Sequence, residues 1–209
     1  MRVINGFKFL HQDLRRCHPC QKKKFSLSGK IISPTRQVGL ASFAIALFCL
    51  SFLNAGLVSG KSIGLIIAIA LISGGLVHFI VALWGFAKNE IYTAIVFGSY
   101  GAFWTSFSLF QLGVILKWFE VDPGMMTVFF IAWTIFTFFI WVATLVTNKA
   151  VITVITTLLI VFILLDLGLG QWAGYLGIFT ALAAFYTSAA GLLNTLYGRE
   201  VLPVGPVKK

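Results

Sequence analysis

Between residues 39 and 197 the chain reads as six continuous apolar runs, at about 39–59, 63–86, 91–116, 125–147, 150–168 and 171–196. Almost no ionisable side chain interrupts them. A helix rises about 1.5 Å per residue, so a run of about 20 residues spans a hydrocarbon core about 30 Å thick. A membrane-crossing strand alternates apolar and polar positions over about ten residues, and these runs do not alternate. The pattern predicts an all-α membrane protein, a six-transmembrane-helix bundle whose connections are too short for a soluble domain. It divides the chain into a basic flexible extension over 1–32, a six-helix domain over 33–199 and a short tail over 200–209.

Composition agrees: 59% of the residues are hydrophobic and only 11% charged, an excess that excludes an ordinary water-soluble domain. The placement of Lys and Arg then orients the bundle. Nine of the 16 lie in residues 1–38 and three more follow residue 198. An even number of spans puts both termini on one side with Lys88 and Lys149, fourteen cations facing only Lys61 and Lys117 on the other. Both termini are therefore expected in the cytoplasm. The net charge of +10 reports this topology and anionic lipid rather than nucleic acid.

The extension carries Asp13 as its single acid, with Phe7, Leu10 and Leu14 at helical spacing. A lipid anchor, an organellar targeting peptide and a plain flexible tail all fit that composition, and the tail is the expectation. Secretory signals need an apolar core after the first charges, and none is present. Cys17, His18 and Cys20 form a C-x-x-C element near His11. Zinc needs four ligands at closed spacing and no second pair exists, so these read as incidental thiols, with no metal or cofactor expected. Cys49, alone in the first run, reads as a small packing residue.

Metalloprotease, phosphate-loop and nucleophile-elbow motifs are absent, which argues against an enzyme. Polar groups inside the spans then become the main clue, because burying one in hydrocarbon without a partner costs several kcal/mol, about 2–7. His78, in the second run, either binds an anion, relays a proton or is a neutral imidazole bonded to a neighbouring helix. Asn54 and Asn194 either line a polar path or clamp two helices, and Asp166 closes the fifth run near water. Small residues at Gly56 and Gly60, Gly170 and Gly174, and Ala183, Ala184, Ala189, Ala190 and Gly191 predict close helix contacts. Phe43, Phe97, Tyr100, Phe103 and Trp104 exceed what interfacial belts require, and some are expected to narrow a pore.

The stretch Phe97-Gly98-Ser99-Tyr100-Gly101-Ala102-Phe103-Trp104 resembles the acetate uptake transporter family, which includes bacterial succinate-acetate permeases and fungal acetate- and ammonia-linked membrane proteins. The likeness extends over about residues 38–205. It takes in Trp172-Ala173-Gly174-Tyr175-Leu176-Gly177 at the start of the last helix and Tyr197-Gly198-Arg199-Glu200-Val201-Leu202-Pro203-Val204-Gly205 at its exit. Two departures stand out. The family signature Asn-Pro-Ala-Pro-Leu-Gly-Leu falls on Pro34-Thr35-Arg36-Gln37-Val38-Gly39-Leu40, keeping only Gly-Leu. Glutamates often found late in helix two and in helix six fall on Gly85 and Gly191, so proton coupling through them does not carry over.

The resemblance implies a membrane transporter or channel for acetate and related small carboxylates, succinate among them, with free passage and proton symport both open. It implies a homo-oligomer, a hexameric ring, with a passage in each subunit. By alignment its hydrophobic constriction falls on Phe43, Tyr100 and Leu158. Beside that neck Asn54 and His78 are the polar groups expected to offer hydrogen bonds to a carboxylate. Two other readings stand: ammonium or ammonia transport or export, from the fungal branch, and a non-transporting membrane scaffold subunit, from the small-residue faces. The membrane expected is a plasma or bacterial inner membrane, with an organellar membrane left open.

Overall fold

A computed structural model describes residues 34–207; the basic extension, with Cys17, His18 and Cys20, lies outside the described residues. Among the described residues six long helices follow one another: α1 Pro34–Asn54, α2 Gly60–Ala87, α3 Ile91–Ile115, α4 Pro123–Thr144, α5 Lys149–Asp166 and α6 Gly170–Tyr197. The one β contact among them is an isolated bridge from Asn148 to Pro206. Five helices are long and apolar enough to cross a membrane. The sixth, α3, has the length at 25 residues but carries Tyr92, Thr93, Ser99, Tyr100, Thr105, Ser106, Ser108 and Gln111. It is the polar member of the set.

Helix boundaries follow local chemistry. α1 is already helical at Pro34, earlier than the apolar pattern predicts. It also ends earlier. Gly56 adopts φ +72 and donates to the Leu53 carbonyl at 3.0 Å, while Leu57 donates to Phe52 at 3.0 Å, a paired closure that stops the helix. The same closure ends α5 at Gly168, α2 at Asn89 and α3 at Lys117. α4 starts where the Asp122 carboxylate accepts from the Gly124 amide at 2.8 Å, and α5 where Asn148 accepts from Val151 at 3.0 Å.

The helices run alternately up and down. One end collects the starts of α1, α3 and α5 and the described segment after α6, tied by Lys88 Nζ donating to Thr35 (3.0 Å) and by the Lys149 amide donating to Gly205 (2.8 Å). Contacts pass around a ring: α1 on α6, α6 on α5, α5 on α4, α3 on α2 and α2 on α1. α1 and α6 make the most extensive contact. Its basis is a seam of small residues on α6, Gly174, Gly177, Ala181, Ala184, Ser188 and Gly191, spaced by three and four. At Gly174 a methyl group would run into the backbone of Asn54 and Ala55.

The small-residue pairs expected from spacing are corrected in part. Gly60 and Gly170 have nothing within 4 Å of a would-be Cβ, and Gly56 serves the turn, so of those two pairs only Gly174 makes a close helix contact. The ring closes at α3 and α4, the sparsest contact, where aromatic rings fill the gap. Tyr100 lies 6.1 Å from Trp133 and 5.5 Å from Phe136, and Phe103 lies 5.1 Å from Trp133, measured between ring centroids.

Candidate functional site: two cavities and the residues between them

Inside the ring lie two cavities. The distal one, about 30 Å³, sits toward the Asn54 end of α1. Its lining includes Leu47, Ser51, Asn54, Phe103, Trp104, Phe162, Leu165 and Ala173. The proximal one, also about 30 Å³, sits toward the start of α1, lined by Arg36, Leu40, His78, Tyr92, Val96, Phe97, Val151, Val154 and Ile155. Three residues line both: Phe43, Tyr100 and Leu158. These three, from α1, α3 and α5, are 6%, 3% and 3% exposed.

Each is held by neighbours that follow from the sequence. Phe43 stands edge-on to His78 with centroids 6.5 Å apart. Tyr100 shares a hydrogen bond with Thr137 across the α3–α4 gap (2.9 Å between oxygens), and about two helical turns toward the start of α3 Tyr92 pairs with Thr144 at 2.6 Å. Leu158 belongs to an apolar face of α5 with Val151, Val154, Ile155 and Phe162, all buried.

His78 is fully buried in α2 and lines the proximal cavity. A turn of π-helix over Ala70–Leu76 precedes it, and the ring Nδ1 donates to the Ser73 carbonyl at 2.9 Å. That bond leaves Nε2 buried with no partner among the described residues. Trp104 has a similar orphan, its indole N–H, on the distal cavity. Asn54 lines the distal cavity as well. The sequence-derived set of Phe43, Tyr100, Leu158, Asn54 and His78 is thus distributed along one internal line: Asn54, then the three shared residues, then His78.

Other polar candidates go elsewhere. Asn194 neither lines a cavity nor clamps two helices; its side chain accepts from the Val201 (2.7 Å) and Leu202 (3.0 Å) amides and donates to the Leu202 carbonyl (2.8 Å). It pins the tail that follows its own helix. Asp166 ends α5 and accepts from Thr134 at 2.6 Å, joining α4 to α5 outside both cavities. Cys49 is a free, partly buried thiol packed against the core.

The two departures from the family signature meet physically. Gln37 of α1 lies over Gly191 of α6, so close that a Cβ at 191 would overlap its amide. With the amide nitrogen turned toward α6, Gln37 donates to the Ser188 (3.1 Å) and Thr187 (3.3 Å) carbonyls, and the Ser188 hydroxyl donates back to the Gln37 carbonyl at 2.8 Å. Gly85 packs against the Ala94 backbone nitrogen, where a Cβ would lie 2.9 Å away. At Gly85 the neighbour is backbone that cannot yield to a side chain, whereas at Gly191 it is the movable end of Gln37.

Sequence reasoning missed Arg36, Ser51, Tyr92 and Thr137. Arg36 had a usable signal, its position three residues before the retained Gly39-Leu40, but it was counted only as a topology charge. The hydroxyl partners had none, because a Thr on one run pairs with a Tyr on another through the tertiary fold alone.

Comparison with known proteins places this arrangement. The solved bacterial acetate channel SatP matches with a TM-score of 0.79 at 26% identity, over 83% of this chain and 99% of that one. The succinate-acetate/proton symporter SatP of Escherichia coli K12 is 27% identical over 184 residues, 84% of this chain and 96% of the relative. Acetate permease A of Emericella nidulans is 28% identical over 190 residues, 80% of this chain and 64% of the longer fungal protein. Residues 26–207 match the family model described as GPR1/FUN34/yaaH, and the chain belongs to that family.

Proposed function

We propose that the chain is an integral membrane transporter or channel for acetate and related small carboxylates, with succinate a candidate. The observation that carries the reading is the pair of internal cavities whose linings share only Phe43, Tyr100 and Leu158. Those residues form the neck. Two aromatic rings and an isobutyl group offer an apolar fit to a methyl, and the Tyr100 hydroxyl is the single polar atom among the three side chains. In this reading six helices cross the bilayer, α3 included. Both termini lie in the cytoplasm, as the distribution of Lys and Arg requires.

Support for the membrane placement comes from exposed aromatics: Trp118, Trp172 and Tyr175 near the distal end and Trp84 and Tyr197 near the proximal end, as interfacial belts require. Both cavities lie within one copy of the chain, so each subunit of a homo-oligomer, expected to be a hexamer, carries its own passage. Ammonium is disfavoured as cargo, because no Asp or Glu lines either cavity while an Arg lines one. The membrane itself is expected to be a plasma or bacterial inner membrane.

Labelled acetate uptake into liposomes tests the reading. Purified protein is expected to carry acetate above empty vesicles, and Phe43→Ala to change that rate. No uptake above the lipid background would end the proposal and leave a non-transporting scaffold in its place.

A further inference from the structure

Every lining residue of the distal cavity is uncharged, and among those of the proximal cavity Arg36 alone bears a permanent charge. Its guanidinium lies 5.3 Å from the centroid of the Tyr92 ring, and its Nε is buried without a hydrogen-bond partner among the described residues. A cation–π contact uses the charge of a guanidinium and not its N–H donors, which remain to be satisfied. Tyr92 is engaged with Thr144, Tyr100 with Thr137 and His78 Nδ1 with Ser73; the unpartnered His78 Nε2 is then an acceptor in the neutral ring and has no proton to offer a carboxylate. A guanidinium with an unpaired buried N–H beside an apolar space matches a carboxylate with a short hydrocarbon tail.

We propose that Arg36 is the charge-selecting residue of the passage, a guanidinium that holds small monocarboxylate anions in the proximal cavity before or after they cross the neck. This rests on the transport reading and narrows its substrate class. One guanidinium answers one carboxylate. The second carboxylate of succinate finds no cation in either cavity, so the site favours acetate over the dianion.

Equilibrium binding separates this proposal from transport itself. Purified protein in detergent micelles is titrated with acetate, with acetamide as a neutral isostere and with succinate, and saturation-transfer NMR of the ligand protons reads occupancy. Arg36→Gln is expected to weaken acetate binding about tenfold, the effect of losing a hydrogen bond to a charged group, while leaving acetamide unchanged. Arg36→Lys is expected to retain most of the acetate affinity, which also shows that substitution at this site leaves the fold intact. Equal weakening of acetate and acetamide, unchanged acetate binding in Arg36→Gln, no acetate binding by the unmodified protein, or succinate binding as tightly as acetate would each overturn the assignment. Selective weakening by Arg36→Gln in a protein that shows no liposome flux leaves Arg36 standing as an anion site and removes only the transport reading.

Discussion

Removing a single oxygen at the neck separates its structural role from its role toward substrate. In Tyr100→Phe the ring stays and the hydroxyl bonded to Thr137 at 2.9 Å is lost. Tyr100 is 3% exposed and Thr137 0%, so water does not take its place. Hydrogen bonds between membrane helices are worth about 0.6 kcal/mol on average and up to about 1.7, and a seam as sparse as α3–α4 belongs in the upper half, near 1 kcal/mol. A chain of this size loses about 3 °C of melting temperature per kcal/mol, so unfolding followed by tryptophan fluorescence in detergent is expected to shift down by about that amount. On the proposed transport reading, the same hydroxyl is the one hydrogen-bonding atom that the side chains of Phe43, Tyr100 and Leu158 offer a substrate. Losing about 1 kcal/mol of stabilisation for a passing carboxylate slows acetate uptake about fivefold. Tyr100→Ala removes the ring as well, and is expected to let benzoate compete with labelled acetate. If Tyr100→Phe lowers the melting temperature while acetate flux stays at the unmodified level, the hydroxyl serves α3–α4 packing alone. If Tyr100→Ala also leaves the rate and the exclusion of benzoate unchanged, Tyr100 forms no neck.

Two further outcomes test the scaffold around that neck. Gly174→Ala places a methyl against the Asn54–Ala55 backbone, which has no side-chain freedom to yield; destabilisation of about 1–3 kcal/mol is expected in thermal unfolding. Gly60→Ala, with nothing within 4 Å, is its control and leaves the melting temperature unchanged. Asn194→Ala removes three hydrogen bonds to the tail, so hydrogen exchange at the Val201 and Leu202 amides is expected to rise at least tenfold. Acetate flux in that variant stays within twofold of the unmodified protein, because Asn194 lines neither cavity.

The apolar runs were legible because a bilayer demands them, and five of the six helices stand out on length and apolarity alone. α3 stands out less, for a reason tied to its place: its Ser, Thr, Tyr and Gly face neighbouring helices, which dilutes the lipid-facing signal. Phe43, Tyr100 and Leu158 were found through family motifs, not periodicity, since a Phe and a Leu in apolar runs carry no mark of facing inward. Asn194 misled because a polar side chain within an apolar run looks the same whether it faces another helix or caps the chain that follows. The end of α1 shifted by several residues because apolar side chains continue past Gly56, whereas the backbone turns there. Gln37 and Gly191 lie far apart in sequence, and only their contact shows that one departure from the signature fills the space left by the other.

The π-helical turn at Ala70–Leu76 changes how α2 should be counted. An ordinary helix advances about 100° per residue, so one residue more or less swings everything beyond it to a different face. A wide turn absorbs one residue of surplus within itself. Ile66 before the turn and His78 and Val81 after it are all buried, so both halves of α2 keep a face turned into the protein. Chain length in α2 is therefore negotiable at this one place: with one residue fewer between 70 and 76 an ordinary turn can close there and leave both halves of the helix in their present orientation.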